Sequence, residues 1–131
     1  MRVVFDTNIL VSALIVPGGK AEEALLRVIE GSDRLVISKD ILDELLGVLA
    51  RKFGRDDEEL ARIAVFLREL ADWVRPRHAA NPLTDPADNR VLDCAHTGHA
   101  EAIVTGDREM LGLQSYAGIP ILTLRNYLGR P

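Results

Sequence analysis

Val3-Val4-Phe5-Asp6-Thr7-Asn8 begins with three apolar residues that stop abruptly at a carboxylate. Arg2 to Phe5 is short, apolar and β-branched, which predicts a buried strand. Asp6 stands where that strand ends, and Asn8 to Val16 is apolar enough to begin a helix. In parallel α/β sheets, ligand sites form outside the carboxyl ends of the strands. Asp6 therefore occupies a position of chemical interest before anything else is known of the chain.

The same alternation continues downstream. Pro17-Gly18-Gly19 predicts a loop. From Lys20 to Glu30, Ala21, Ala24, Leu25, Val28 and Ile29 follow helical spacing, and Gly31 suits the helix end. Leu35-Val36-Ile37 predicts a second strand. Ser38 is placed to cap a helix carrying Ile41, Leu42, Leu45, Leu46 and Leu49 on one stripe. Gly54 to Asp57 reads as a turn, and Leu60, Ile63, Leu67, Leu70 and Val74 as another helical stripe. Trp73 is able to stack a base, but it follows the apolar face through Leu70 and reads as core. Pro76 and Pro82 bracket a loop. Asp85-Pro86 is a helix-start signal, Val91, Leu92 and Ala95 mark the buried face, and Gly98 closes the helix. Ala102 to Thr105 and Ile119 to Leu122 predict the third and fourth strands. Strands alternating with helices imply a three-layer α/β/α fold around a mainly parallel sheet, as a single domain over residues 1–131.

Asp107 ends the third predicted strand as Asp6 ends the first. Glu44 and Asp88 lie near the starts of two predicted helices. Carboxylates that converge repel one another unless protons or cations relieve them. Hard divalent ions with a preference for oxygen, Mg²⁺ or Mn²⁺, are the direct relief. This pattern points to a metal-dependent enzyme acting on phosphodiesters.

The whole-chain properties fit. With 131 residues, 47% of them apolar and 27% charged, the chain can build a core and is not disordered in bulk. A net charge of −4 argues against a broadly basic protein that coats nucleic acid, but not against a nuclease with cations in an acidic cleft. Cys94 is the lone cysteine, so no internal disulfide framework exists. Met1 to Phe5 reaches Asp6 too soon for a secretory leader, and no apolar run approaches the roughly 20 residues of a membrane span. A cytoplasmic protein without membrane attachment is the expectation.

Val3-Val4-Phe5-Asp6-Thr7-Asn8-Ile9-Leu10-Val11-Ser12 resembles the opening of a PIN domain. Ser38 to Leu45, Asp85 to Leu92 and Val104 to Leu111 resemble that family's second, third and fourth acidic motifs, in the expected order. The resemblance implies a metal-dependent ribonuclease, similar to the small toxins of VapC-type toxin–antitoxin pairs. It implies Asp6, Glu44, Asp88 and Asp107 as catalytic and metal-site residues, with one or two ions of Mg²⁺ or Mn²⁺. Asn8 matches the polar residue that supports the first Asp, and Thr105 the small polar position before the fourth acid; Ser12 is a further supporting hydroxyl. RNA as substrate, a protein antitoxin and a homodimer are the implied partners. RNA-processing enzymes share these motifs, so the resemblance does not by itself imply a toxin.

Plainer roles compete at each position. Asp6 can end a strand through an Asx-turn, and Asp107 can cap a helix starting at Arg108. Asp85 is the better N-cap beside Asp88, which then fits a capping-box position, and Asp85 and Asp93 are rival ligands. Asp43 and Glu44 flank one apolar stripe, and spacing does not choose between them. His96 and His99 read as surface residues, and Cys94 as a small core residue. Gly18-Gly19-Lys20 lacks the spacing of a phosphate-binding loop. Arg51, Lys52 and Arg55, and separately Arg75 and Arg77, are basic clusters suited either to an RNA backbone or to solvated helix ends. Two rivals follow: a non-catalytic RNA-binding or scaffold module, and a phosphotransfer protein with carboxylates at strand ends. Against the latter, the first motif is Asp-Thr-Asn rather than Asp-x-Asp.

Overall fold

The computed structural model describes residues 1–130. In chain order the elements are β1 (Arg2–Phe5), α1 (Thr7–Ile15), α2 (Lys20–Ile29), β2 (Arg34–Ser38), α3 (Lys39–Phe53), α4 (Asp57–Leu70), β3 (Asp72–Val74), α5 (Pro86–Thr97), β4 (Ala102–Val104), α6 (Arg108–Gly112), β5 (Ser115–Tyr116), β6 (Ile119–Leu122) and α7 (Leu124–Leu128). The strands form one sheet in the order β3-β2-β1-β4-β6-β5. Every neighbouring pair is parallel except β5 with β6. From β1 the chain moves out through β2 to β3, then returns across the sheet to β4. Right-handed crossovers taken in both directions place helices on both faces. This is the expected α/β fold around a mainly parallel sheet.

Burial explains the order. Val3, Val4 and Phe5 are at most 1% exposed, as a strand covered on both faces must be. Leu35, Val36 and Ile37 in β2 and Ala102, Ile103 and Val104 in β4 are equally buried and flank β1. Ser38 caps α3 by accepting the Ile41 N–H, and Gly54, at φ +61°, ends that helix in the left-handed region that glycine tolerates. Asp85 caps α5 with Pro86 in its first turn. Gly98 closes α5 where a Cβ would collide with Val36 of β2, so the helix end packs directly on the sheet.

Two strands were not expected. β3 covers Asp72–Val74, so Val74 is a strand residue and not the end of a helical stripe. Its four-residue spacing from Leu70 coincides with helix period, but Ala71 is already extended at ψ 158°. Trp73 is 37% exposed on this edge strand, not core. β5 is only two residues, too short for periodicity to signal. Cys94 is fully buried, and burial pushes its thiol up to about 12, as befits a core residue. His96 and His99 are exposed.

Candidate functional site

β1 sits between β2 and β4, so the chain leaves it in one direction and returns on the other side. That reversal is the topological switch point, where parallel sheets open a crevice beyond their carboxyl ends. Asp6 follows β1 and Thr105 follows β4 directly at this point. The Asp6 N–H donates to the Val104 carbonyl at 2.9 Å, which carries strand pairing one residue past β1.

Asp6 is 2% exposed and Thr105 is fully buried. The Thr105 hydroxyl donates to Asp6 Oδ2 at 2.6 Å and accepts the Asp107 N–H at 3.0 Å. Asp107 in turn accepts the Met110 N–H at 2.8 Å and caps α6. One threonine thus links the carboxylate after β1 to the turn after β4. Burial pushes the Asp6 carboxyl above its ordinary range, and the Asp107 charge adds to this; the Thr105 hydroxyl and the N–H groups of Thr7 and Asn8 offset part of it.

Asp88 lies in the first turn of α5 and is half-buried. Its carboxyl is pushed up to about 7, chiefly by burial, then by the charges of Asp6, Asp85, Asp107 and Glu109. Asp6, Asp88 and Asp107 therefore share one electrostatic environment. The acids that rival Asp88 have other partners. Asp85 accepts the Ala87 N–H at 2.9 Å. Buried Asp93 accepts the Ala79 and Ala80 N–H groups at 3.2 and 2.8 Å, and Arg90 Nε lies 3.1 Å from its other oxygen, out of line for a hydrogen bond. Among the described residues the Asp88 carboxylate makes no hydrogen bond, so no capping box closes α5.

Glu44 is half-buried on α3, whereas Asp43 is exposed and bonded to Lys39. That difference separates two residues that spacing left equal. The Asn8 side chain is exposed at the start of α1. Ser12 is half-buried and lies six residues beyond Asp6, about 9 Å along the helix axis.

Sequence reasoning passed over two features that build this edge. Glu109 accepts both the N–H and the hydroxyl of Thr84, at 2.6 and 2.8 Å, and ties the approach to α5 onto α6. Asn89 is buried and clamps Leu83 from both sides, accepting its N–H and donating to its carbonyl at 3.0 Å each. Both contacts hold the loop before α5 and hence the position of Asp88. The pair Thr84–Glu109 is separated by 25 residues and leaves no local signal.

Asp6, Asp88 and Asp107 offer only oxygen, and their like charges act on one another at a partly buried edge of the sheet. Those properties suit a hard divalent cation better than a soft one. Among the described residues, no three His, Cys, Asp or Glu side chains stand close enough together to hold a metal ion. Asp6, Asp88 and Asp107 act on one another by charge without forming such a group.

Residues 2–109 match the PIN domain family. The chain belongs to that family. This PIN domain is also 28% identical over 118 residues to an uncharacterised protein of Methanocaldococcus jannaschii, a match covering 87% of this chain and 76% of the relative. Its fold resembles that of VapBC-1 from nontypeable Haemophilus influenzae, with a TM-score of 0.66 at 18% identity over 95% of this chain and 99% of that one. VapBC2 from Rickettsia felis, solved with a DNA fragment from its promoter, gives 0.65 at 15% identity over 94% and 98% of the two chains. FitAcB from Neisseria gonorrhoeae gives 0.56 at 13% identity over 94% and 98%. At these identities the likeness establishes the fold. No described helix is long and apolar enough to cross a membrane.

Proposed function

We propose that this PIN domain is a metal-dependent endoribonuclease, acting as one domain in the cytoplasm. The observation that carries the reading is the coupling of Asp6, Asp88 and Asp107 at the switch point of the sheet, with Thr105 joining two of them. Asp6, Asp88 and Asp107, with Glu44 from α3, would hold Mg²⁺ or Mn²⁺ through their carboxylate oxygens. One or two divalent ions supply what phosphodiester hydrolysis needs: a more acidic water and relief of charge on the phosphate. The chain's own work is positioning. Thr105 fixes the Asp6 rotamer, α6 holds Asp107, and the Asn89 and Glu109 contacts hold Asp88 at the crevice.

A toxin role, silenced by a protein antitoxin over the acidic crevice, is supported by the likeness to VapBC structures. A homodimer is supported by α4, in which Leu67 is the one fully buried residue while Val65, Phe66 and nearby Phe53 are exposed.

Cleavage of a labelled mixed RNA pool in Mn²⁺, Mg²⁺ or EDTA, with Asp6→Asn alongside, tests the enzyme. Internal cuts that need the metal and the wild-type Asp6 are expected. Cuts by well-folded Asp6→Asn would remove Asp6 from the centre. Absence of both cutting and Mn²⁺ binding would leave the non-catalytic RNA-binding module as the better reading.

A further inference from the structure

A groove of about 710 Å³ opens at the same edge of the sheet as the carboxylates. Lys39 and Asp40 directly follow β2, and Arg75 and Pro76 directly follow β3. Since β1, β2 and β3 are parallel neighbours, both turns emerge on the side where Asp6 ends β1. At about 4.8 Å per strand, the end of β3 is about 10 Å from the end of β1. The segment that begins in the groove at Arg75 is also stapled to α5. His78 meets Asp40 at 3.0 Å, Asp93 and Arg90 hold Ala80, and Asp85 starts the helix that carries Asp88. Groove and carboxylates are thus built on one continuous stretch of chain.

Trp73 lines the groove and is the sole tryptophan of the protein. An indole is normally among the more buried side chains, so 37% exposure on a groove wall is unspent stacking surface. The charges beside it are unequal. Lys39 is paired with Asp43 at 2.6 Å, and Asp40 with His78. Among the described residues, Arg68 and Arg75 are in no ion pair. Two uncommitted guanidiniums flanking an exposed aromatic ring match single-stranded nucleic acid, whose phosphates pair with Arg and whose bases stack on any π-face.

We infer that this groove binds nucleotides flanking the scissile phosphate of single-stranded RNA, with a base on Trp73 and phosphates on Arg68 and Arg75. The inference rests on the ribonuclease reading for the word scissile; the binding itself does not need cleavage.

The lone tryptophan makes the test direct. A short single-stranded oligouridylate is titrated into the protein in EDTA, following Trp73 fluorescence together with the anisotropy of labelled RNA. Saturable quenching is expected. Trp73→Ala weakens binding at least fivefold, on the order of one lost base–aromatic stack, while Trp73→Phe retains most of it. Arg68→Ala and Arg75→Ala each flatten the slope of log affinity against log salt by about 0.7. RNA that binds without moving Trp73 fluorescence overturns the inference, as does equal quenching by duplex RNA. No RNA binding even at low salt also overturns it and leaves the groove to a protein partner. Metal-dependent cleavage indifferent to both Trp73→Ala and Arg75→Ala overturns the groove and spares the nuclease. Quenching with neither cleavage of a mixed RNA pool nor Mn²⁺ binding overturns the nuclease and spares the groove.

Discussion

Thr105 holds Asp6 across 99 residues of sequence through a 2.6 Å hydrogen bond, and the same hydroxyl accepts the Asp107 N–H. Thr105→Val keeps the shape and removes the donor. A buried carboxylate then loses a bond that favours its charged form. Loss of about 1–3 kcal/mol in stability is expected, with at least tenfold slower RNA cleavage. Thr105→Ser should recover most of both. Thermal unfolding and cleavage rates of the two variants check this; equal damage in both would mean that the methyl packing matters and not the hydroxyl.

Asp88 places a stability cost on the cation-free fold. Its folded carboxyl is raised to about 7 by burial and neighbouring acids, so the folded state holds the proton more tightly than the unfolded chain. Stability therefore falls as pH rises from about 4 to about 7, and the penalty is complete above that. In EDTA at pH 8, Asp88→Asn should stabilise the protein by on the order of 1 kcal/mol after solvent screening, a rise of a few degrees in Tm. The gain should vanish near pH 4. A lower Tm for the variant at pH 8 would show that the acids do not strain one another.

Asp72 works with the opposite sign. The Arg34 hydrogen bond holds its carboxyl below the ordinary range, burial opposes this, and Arg2 adds to the lowering. Its contribution is present above about pH 4 and disappears as pH falls through the depressed folded value. Asp72→Asn should lower Tm at pH 7, and the gap should narrow as pH falls from about 4 toward 2. Urea unfolding across that range is the check; an unchanged gap at pH 2 would assign the effect to packing.

Asp93 and Asp43 separate a structural acid from a solvated one. Asp93→Ala leaves the Ala79 and Ala80 N–H groups and Arg90 without their partner, and about 3 kcal/mol of stability should be lost. Asp43→Ala removes only an exposed contact with Lys39 and should leave Tm unchanged. Comparable losses in the two variants would contradict the clamp on the loop before α5.

The α4 face predicts assembly. Phe66→Glu places a charge on an already exposed apolar site, so it should spare the fold. If α4 is the dimer contact, light scattering should show the wild type as a dimer and the variant as a monomer. A dimer in both would move the contact elsewhere.

Much of this was legible along the chain, for local reasons. Continuous apolar runs marked β1, β2 and β4, because central parallel strands are buried on both faces and must be apolar throughout. Ser38, Asp85 and Asp107 marked helix starts, because a short polar side chain can satisfy a free N–H within three residues of itself. The acids at strand ends were visible for the same reason: the element ends where the apolar run stops.

Other features depended on residues far away in sequence. Trp73 and Val74 mimicked a helical stripe until pairing with Ile37 and Ser38 made them an edge strand. Asp93 and Asp88 share a helix and a charge, and only the folded loop distinguishes them. Asp93 meets backbone N–H groups of Ala79 and Ala80, while Asp88 is acted on by the charges of other carboxylates. Glu44 was set apart from Asp43 by burial. By itself the sequence determined the central strands and the capped helix starts, because hydrophobic period and capping are short-range. Which carboxylates share a crevice, and which ring stays exposed beside them, was decided only by the tertiary structure, because Coulomb coupling and burial depend on distance in space and not along the chain.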